Sequence, residues 1–219
     1  MAKGIISCYL AKDMQQKIAL FDFDGTIADS TEAAVKAYNK VAEQNNLKTM
    51  SKEELALLRA MGAREAVRYF DTPLWKLPFI VRKVRAALKN EMSHIAAIPG
   101  MIEALRALKE KGHRLFIVST NSKENIKLFL DRNGIAEFDG IYPVLGVFGK
   151  HVKIKQLIQA NGWNRGSVAY IGDEVRDIEA AKRAGVLSVA VTWGHNTEEV
   201  LLQSGADLVC RLPSDLTFL

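Results

Sequence analysis

The chain of 219 residues is 48% hydrophobic and 25% charged, a balance that supports a packed core and excludes a chain disordered by composition. Its net charge of +5 is spread along the sequence without a long block of like charges, which argues against a basic tail for nucleic acid or membranes. The two cysteines lie far apart, as expected in a reducing compartment. No apolar run reaches membrane-spanning length, so we expect a cytoplasmic protein.

Residues 1–16 contain a short apolar run, Gly4 to Ala11, which is too short for a signal peptide and is interpreted as a weak extra strand or a loose arm. Four later runs are short, mostly apolar and in several cases rich in valine and isoleucine: Ile18–Phe21, Leu115–Val118, Val168–Ile171 and Val186–Val191. Such runs are typical of strands that are buried on both faces of a parallel sheet.

Helical patterns alternate with these strands, at residues 101–112, 121–134, 151–162 and 177–185. Each pattern ends in a glycine, the residue that most often terminates a helix. The second helix is predicted to begin with Asn121 as its N-cap. The alternation predicts an α/β protein with a doubly wound, Rossmann-like parallel sheet.

Residues 31–95 interrupt this alternation, because they show helical periodicity without a convincing strand. A crossover between parallel strands needs only about a dozen residues or somewhat more. We therefore predict an α-helical cap domain of residues 31–95, inserted into a catalytic core made of residues 1–30 and 96–219.

Polar side chains follow the predicted strands, at the edge where open α/β sheets bind ligands. They are carboxylates, hydroxyls and an amide after three strands, together with a lysine that opens a helix: Asp22, Asp24, Ser119, Thr120, Asn121, Asp173, Asp177 and Lys150. A cluster of carboxylates cannot stay ionised without a cation. Oxygen ligands alone indicate a hard metal, and Mg²⁺ is the usual choice when substrate phosphate completes the coordination.

The pair Asp22 and Asp24 fits phosphoryl transfer through an aspartyl phosphate. With the metal and Lys150 reducing the repulsion between two anions, Asp22 can attack phosphorus. Asp24 projects to the same side if the strand geometry continues, so it can protonate the leaving oxygen and later deprotonate water. A calcium loop is the alternative interpretation, but an EF-hand needs a preceding helix and a longer acidic series.

Four stretches resemble, in order, the motifs of the haloacid dehalogenase superfamily: "DFDGT" at residues 22–26, a strand ending in Thr120, Lys150, and "GDEVRD" at residues 172–177. The longer stretch "YIGDEVRDIEAAKRAG" resembles the helical-cap subfamily typified by phosphoglycolate phosphatases. The resemblance covers nearly the whole chain from Lys17. It implies a Mg²⁺-dependent phosphatase that acts on a small phosphorylated metabolite.

The resemblance also implies a role for each matching residue. Asp22 is the nucleophile and Asp24 the general acid and base. Mg²⁺ is held by Asp22, the backbone carbonyl of Asp24 and Asp173, while Asp177 orients the metal site from behind. Lys150 balances charge.

Thr120 is expected to hold a phosphoryl oxygen, and it is preferred over its neighbour Ser119 because an asparagine follows it, as in the family pattern. Substrate contacts are expected from Gly25, Thr26, Asn121, Arg64 and His195. A solvated helix face is the alternative for Arg64, and a structural or exposed position is the alternative for His195.

Two other functions remain open on the sequence alone. A phosphosugar mutase similar to β-phosphoglucomutase would use the same aspartyl chemistry but return the phosphoryl group to a sugar through a bisphosphate intermediate. A non-catalytic phospho-ligand-binding module is disfavoured, because both Asp22 and Asp24 are present.

Overall fold

A six-stranded parallel sheet forms the centre of the protein in the computed structural model, which describes residues 18–61, 69, 76–91, 94–144, 146 and 149–219. The strands are β1 (Ile18–Phe21), β2 (Arg114–Ser119), β3 (Gly140–Pro143), β4 (Val168–Gly172), β5 (Leu187–Val191) and β6 (Leu208–Cys210). Their order in the sheet is β3–β2–β1–β4–β5–β6. The predicted α/β class with a doubly wound parallel sheet is confirmed.

The sheet is buried on both faces, as the apolar runs predict. Along β1, Ile18 and Leu20 belong to one hydrophobic cluster, while Ala19 and Phe21 belong to the other. Successive side chains of a strand point to opposite faces, so a strand covered on both sides must be apolar throughout. The four predicted strands correspond to β1, β2, β4 and β5. The edge strands β3 and β6 were not predicted.

Helices cover both faces of the sheet and fill the segment between β1 and β2. They are α1 (Thr31–Gln44), α2 (Lys52–Arg59), α3 (Leu77–Glu91), α4 (Met101–Glu110), α5 (Lys123–Arg132), α6 (Lys150–Asn161), α7 (Val175–Ala184) and α8 (Glu198–Gln203). Two short 3₁₀ helices, Arg165–Ser167 and Pro213–Phe218, complete the elements of the described residues. No helix in these ranges is long and apolar enough to cross a membrane.

The helices α1, α2 and α3 occupy the described part of residues 31–95, where no strand is found. Helix α1 packs along α3. The two ends of this segment lie side by side, because the Asp29 N–H donates to the Ala96 carbonyl at 2.9 Å and the Ile98 N–H donates to the Ile27 carbonyl at 2.9 Å. The assignment of residues 31–95 to a separate cap domain stays a prediction, and the proposed arm at residues 1–16 lies outside the described residues.

The order of the strands decides where the polar loops meet. Strand β1 lies between β2 and β4, with which it pairs in parallel. The carboxyl ends of these three strands therefore share one edge, at the point where the strand order reverses. Asp22, Asn121 and Asp173 follow these strands closely and are brought to the same place.

Candidate active site

The turn after β1 begins with Asp22, whose side chain is 2% exposed. Its backbone N–H donates to the Ile171 carbonyl at 2.8 Å, so pairing with β4 extends one residue beyond the strand. Gly25 then turns the chain with a φ of +75°. A Cβ atom at Gly25 would lie 2.3 Å from Asp173 Oδ2, so this glycine is required both by its backbone conformation and by the approach of that carboxylate.

Lys150 is the buried cation of the site and the first residue of α6. Its Nζ lies 2.6 Å from Asp22 Oδ2 and 2.5 Å from Asp177 Oδ1, and all three side chains are at most 2% exposed. Burial disfavours the ammonium form, but the charges of Asp177 and Asp22 outweigh burial and hold the pKa of Lys150 above its ordinary value. Lys150 therefore stays charged and neutralises part of the acidic site.

Asp22, Asp173 and Asp177 form a buried group, called here the carboxylate cluster, in which one oxygen of each lies within 4.8 Å of the others. Burial, together with neighbouring carboxylates, raises the pKa of Asp173 well above its ordinary value. Burial also raises the pKa of Asp177 to about 6, although Lys150 opposes the shift. Asp22 Oδ1 is buried and has no hydrogen-bond partner among the described residues. Oxygen ligands with this deficit of positive charge fit a metal ion.

Asp173 is held on both sides of its carboxylate. Thr26 Oγ1 donates to Asp173 Oδ1 at 2.8 Å, and the His195 N–H donates to Asp173 Oδ2 at 2.7 Å. A Cβ atom on Gly194 would come within 2.3 Å of Asp173 Cβ, so the backbone after β5 packs directly against the carboxylate side chain. Thr26, predicted as a substrate contact, thus uses its hydroxyl to orient Asp173.

Asp24 faces Asn121 across the site. Asn121 Nδ2 lies 3.3 Å and 3.0 Å from the two carboxylate oxygens of Asp24. The amide is fixed in this orientation because Asn121 Oδ1 accepts from the Ser122 N–H and from Asn125 Nδ2. Burial, followed by the charge of Asp22, raises the pKa of Asp24 to about 6, and the hydrogen bond from Asn121 opposes this shift.

The prediction that Asn121 caps α5 was wrong. Ser122 is the N-cap, and its Oγ accepts from the Asn125 N–H at 3.2 Å. Asn121 instead precedes the helix and uses its side chain across the strand ends.

The two hydroxyls at the end of β2 have different surroundings. Ser119 is 1% exposed, and its Oγ accepts from the Asn121 N–H at 3.2 Å. Thr120 is the first residue beyond the strand and is partly exposed. The threonine is therefore the hydroxyl with more access to a ligand.

A cavity of about 300 Å³ opens beside the carboxylate cluster, between the strand ends and α1, α2 and α3. Apolar side chains line one side of it: Ala34, Val35, Met50, Leu55 and Val84. Asp24, Gly25, Asp173, Glu174 and His195 line the other side. Burial lowers the pKa of His195 below its ordinary value, which favours the neutral ring. Arg64, also predicted as a substrate contact, lies outside the described residues.

Sequence reasoning missed the contacts that Arg59, Asn196 and the backbone at Gly194 make in this part of the site. Arg59 donates from Nε to the His195 carbonyl at 2.9 Å and from Nη2 to the Gly194 carbonyl at 2.7 Å. Asn196 is 2% exposed. The stretch "TWGHN" after a predicted strand was the available signal, but its partners lie far away in sequence.

The geometry of the strand ends agrees with comparisons against known proteins. A sequence model described as haloacid dehalogenase-like hydrolase matches residues 19–191. The chain belongs to this family. A phosphoglycolate phosphatase of Synechococcus elongatus is 33% identical over 198 residues, which cover 90% of this chain and 93% of that protein.

One further relative and one solved structure are also similar to this chain. Pyrophosphatase PpaX of Listeria monocytogenes is 28% identical over 208 residues, which cover 90% of this chain and 93% of that protein. The crystal structure of a predicted phosphatase from Clostridium acetobutylicum shares the fold with a TM-score of 0.79 at 21% identity, covering 92% of this chain and 96% of that one. The predictions of the family and of a hydrolase with phosphatase activity are confirmed.

Proposed function

We propose that the protein is a Mg²⁺-dependent phosphatase that hydrolyses a small phosphorylated metabolite through an aspartyl phosphate. The observation that carries this proposal is the state of Asp22, whose Oδ2 contacts Lys150 at 2.6 Å while Oδ1 is buried without a partner among the described residues. A carboxylate held in this way is oriented, partly neutralised and still has one oxygen available for attack.

The reaction then has two steps that use the same pair of aspartates. In the first, an oxygen of Asp22 bonds to phosphorus, the ester P–O bond breaks, and Asp24 gives its proton to the leaving oxygen. In the second, Asp24 takes a proton from water, the water oxygen bonds to phosphorus, and the bond to Asp22 breaks to release phosphate. The raised pKa of Asp24, about 6, supports a residue that both gives and takes a proton.

The remaining residues serve charge balance and orientation. Asp22, Asp173 and the backbone carbonyl of Asp24 would hold Mg²⁺, with Asp177 supporting the site through Lys150. The bound metal would offset the negative charge of the phosphoryl group. Thr120, which is more accessible than Ser119, would bind a phosphoryl oxygen.

The cavity and the relatives together suggest the substrate class. A volume of about 300 Å³ suits a small metabolite. Because the relatives include a phosphoglycolate phosphatase and a pyrophosphatase, 2-phosphoglycolate and pyrophosphate are the first substrates to test. Gly25, Asn121, His195 and Arg64 remain our candidates for substrate contacts.

Phosphate release by the full-length protein tests the proposal, with an aryl phosphate, 2-phosphoglycolate and pyrophosphate as substrates, each with Mg²⁺ and with a chelator. We expect Mg²⁺-dependent release that is lost in Asp22→Asn. Asp131→Asn, at an exposed position of α5, is the matched control and should keep full activity. Release that survives chelation, or full activity in Asp22→Asn, would contradict the proposal. Isomerisation of glucose 1-phosphate without net phosphate release would indicate the mutase instead.

A further inference from the structure

The loop of residues 194–197, after β5, is hydrogen-bonded to the turn that carries Asp173. The Asn196 N–H donates to the Asp173 carbonyl at 3.1 Å, and the Val175 N–H donates to Asn196 Oδ1 at 3.0 Å. The preceding residue, His195, donates its N–H to the Asp173 carboxylate at 2.7 Å. The loop therefore holds both the backbone and the carboxylate of Asp173.

The same loop is bound to the C-terminal end of α2. Asn196 Nδ2 donates to the carbonyls of Arg59 and Met61, each at 3.0 Å. In the opposite direction, the Arg59 guanidinium donates to the carbonyls of Gly194 and His195. Carbonyls at the end of a helix have no partner within the helix, so this loop supplies the partners that α2 needs there.

Asn196 joins the two sets of contacts through one buried amide. Its Oδ1 accepts a hydrogen bond from the turn after β4, and its Nδ2 donates to the end of α2. Asn196 is only 2% exposed. Movement of α2 away from the core would leave buried polar atoms without partners, unless the loop and the Asp173 turn moved with it.

We propose that Asn196 is a positioning residue that couples the docking of α2 to the orientation of Asp173. The catalytic part of this inference rests on the proposed function, because there Asp173 serves the metal site. The site is fully assembled only while α2 is docked. Coupling is reciprocal, so a change at Asp173 must also loosen α2.

Amide hydrogen exchange of residues 52–61 in the metal-free, full-length protein tests the link to α2. Asn196→Asp keeps an acceptor for Val175 but removes both Nδ2 donors, and we expect exchange about tenfold faster than in the wild type. Arg59→Gln adds no buried charge and should act in the same direction. Asn161→Asp is the matched control, since it removes an amide-to-carbonyl bond to Leu157 at an exposed position and should leave α2 unchanged.

Asp173→Asn tests the coupling itself in the same metal-free measurement. An amide cannot accept from both Thr26 and His195, so we expect the exchange of residues 52–61 to rise about fivefold. Unchanged exchange in Asp173→Asn would overturn the coupling. Unchanged exchange in both Asn196→Asp and Arg59→Gln would overturn the docking role.

Turnover distinguishes positioning from a merely structural contact. In Arg59→Gln we expect kcat to fall more than KM changes, and the rise in melting temperature on adding Mg²⁺ to be smaller than in the wild type. A loosened α2 with unchanged kcat and an unchanged effect of Mg²⁺ would overturn the inference. Absence of phosphate release by the wild type would instead refute the proposed function, and the metal-free exchange measurements would still decide the coupling.

Discussion

Two lysine–carboxylate contacts at similar distances lie in very different surroundings. In the strand-end site, Lys150 contacts Asp22 at 2.6 Å with both side chains 2% exposed. In the segment between β1 and β2, Lys48 contacts Glu54 at 2.5 Å, and the side chain of Lys48 is 52% exposed. When an exposed pair loses one partner, water solvates the charge that remains. When a buried pair loses one partner, no water is present to take its place.

The difference shows where the protein depends on electrostatic compensation. Lys48 can be removed without leaving a fully buried charge behind, because the side chain of Glu54 is 17% exposed. The strand-end site holds the carboxylate cluster around one buried ammonium group, so each charge depends on the others. Such an arrangement is expected where function, not stability, selects the residues.

The largest expected effect is the removal of the buried cation. Lys150→Met should lower the free energy of unfolding by about 3–5 kcal/mol at neutral pH, because it leaves uncompensated buried carboxylates. It should also abolish phosphate release. Lys48→Met, the matched change at the surface, should alter neither property measurably. Urea unfolding and phosphate release measure the two effects, and equal destabilisation by both variants would refute the comparison.

Gly194→Ala should reduce kcat/KM about 100-fold, because the new methyl group would displace the Asp173 carboxylate from its position. The control is Gly166→Ala, where the nearest atom to the new Cβ is Asn164 Oδ1 at 3.4 Å. Steady-state kinetics with the best substrate measures the difference. Retention of full activity by Gly194→Ala would show that close packing on Asp173 is unimportant for catalysis.

The metal-free protein should lose stability as pH rises through about 6. Asp24 and Asp177 both have a pKa of about 6 in the folded protein, against an ordinary value of 3.8. The folded state binds these protons more tightly than the unfolded state does. Their contribution to the free energy of unfolding is therefore complete below the pKa of the unfolded state and disappears above the pKa of the folded state.

Melting temperatures measured in chelator across this pH range test that expectation. Added Mg²⁺ should oppose the decline, since a cation compensates the ionised carboxylates. A melting temperature that rises through the same window without metal would contradict the assigned direction.

The smallest expected effects compare the N-caps of two helices, one in each region. Ser51 caps α2 and exchanges hydrogen bonds with Glu54, while Ser122 caps α5. Replacement of either serine by alanine should cost about 1 kcal/mol of unfolding free energy. Only Ser122→Ala should also lower kcat, because losing the cap loosens the first turn of α5. Ser122 and Asn125 in that region hold the amide of Asn121 that faces Asp24. Equal kcat values in the two variants would show that the cap of α5 does not influence the active site.

The fold was largely predictable, because apolar runs and helical periodicity are local properties of the sequence. The edge strands were not, and each has a local reason. Strand β3 contains Gly140 and Pro143 and is only partly buried, while β6 has three residues. Neither offers the apolar run by which a buried strand is identified.

The candidate site was predictable to the extent that its residues follow strands. Asp22, Asp24 and Asp173 come directly after or near strand ends, and parallel strands bring these ends to one edge. Asn121 was predicted to cap a helix, because a helix cap is a local interaction that the sequence pattern can indicate. Its side chain instead contacts Asp24, which is distant in the sequence and gives no local signal.

The sequence by itself determined the four inner strands of the sheet, the helices that alternate with them and the identity of the acidic and basic groups at the strand ends, because each of these depends on residues close together in the chain. Only the tertiary structure decided how α2 meets the loop of residues 194–197 and how Gly194 packs on Asp173. Those contacts join residues that are more than twenty positions apart in the sequence, and Arg59 and Asn196 are 137 positions apart. Their energy comes from burying polar groups with matched partners, which depends on distances that the order of residues does not contain.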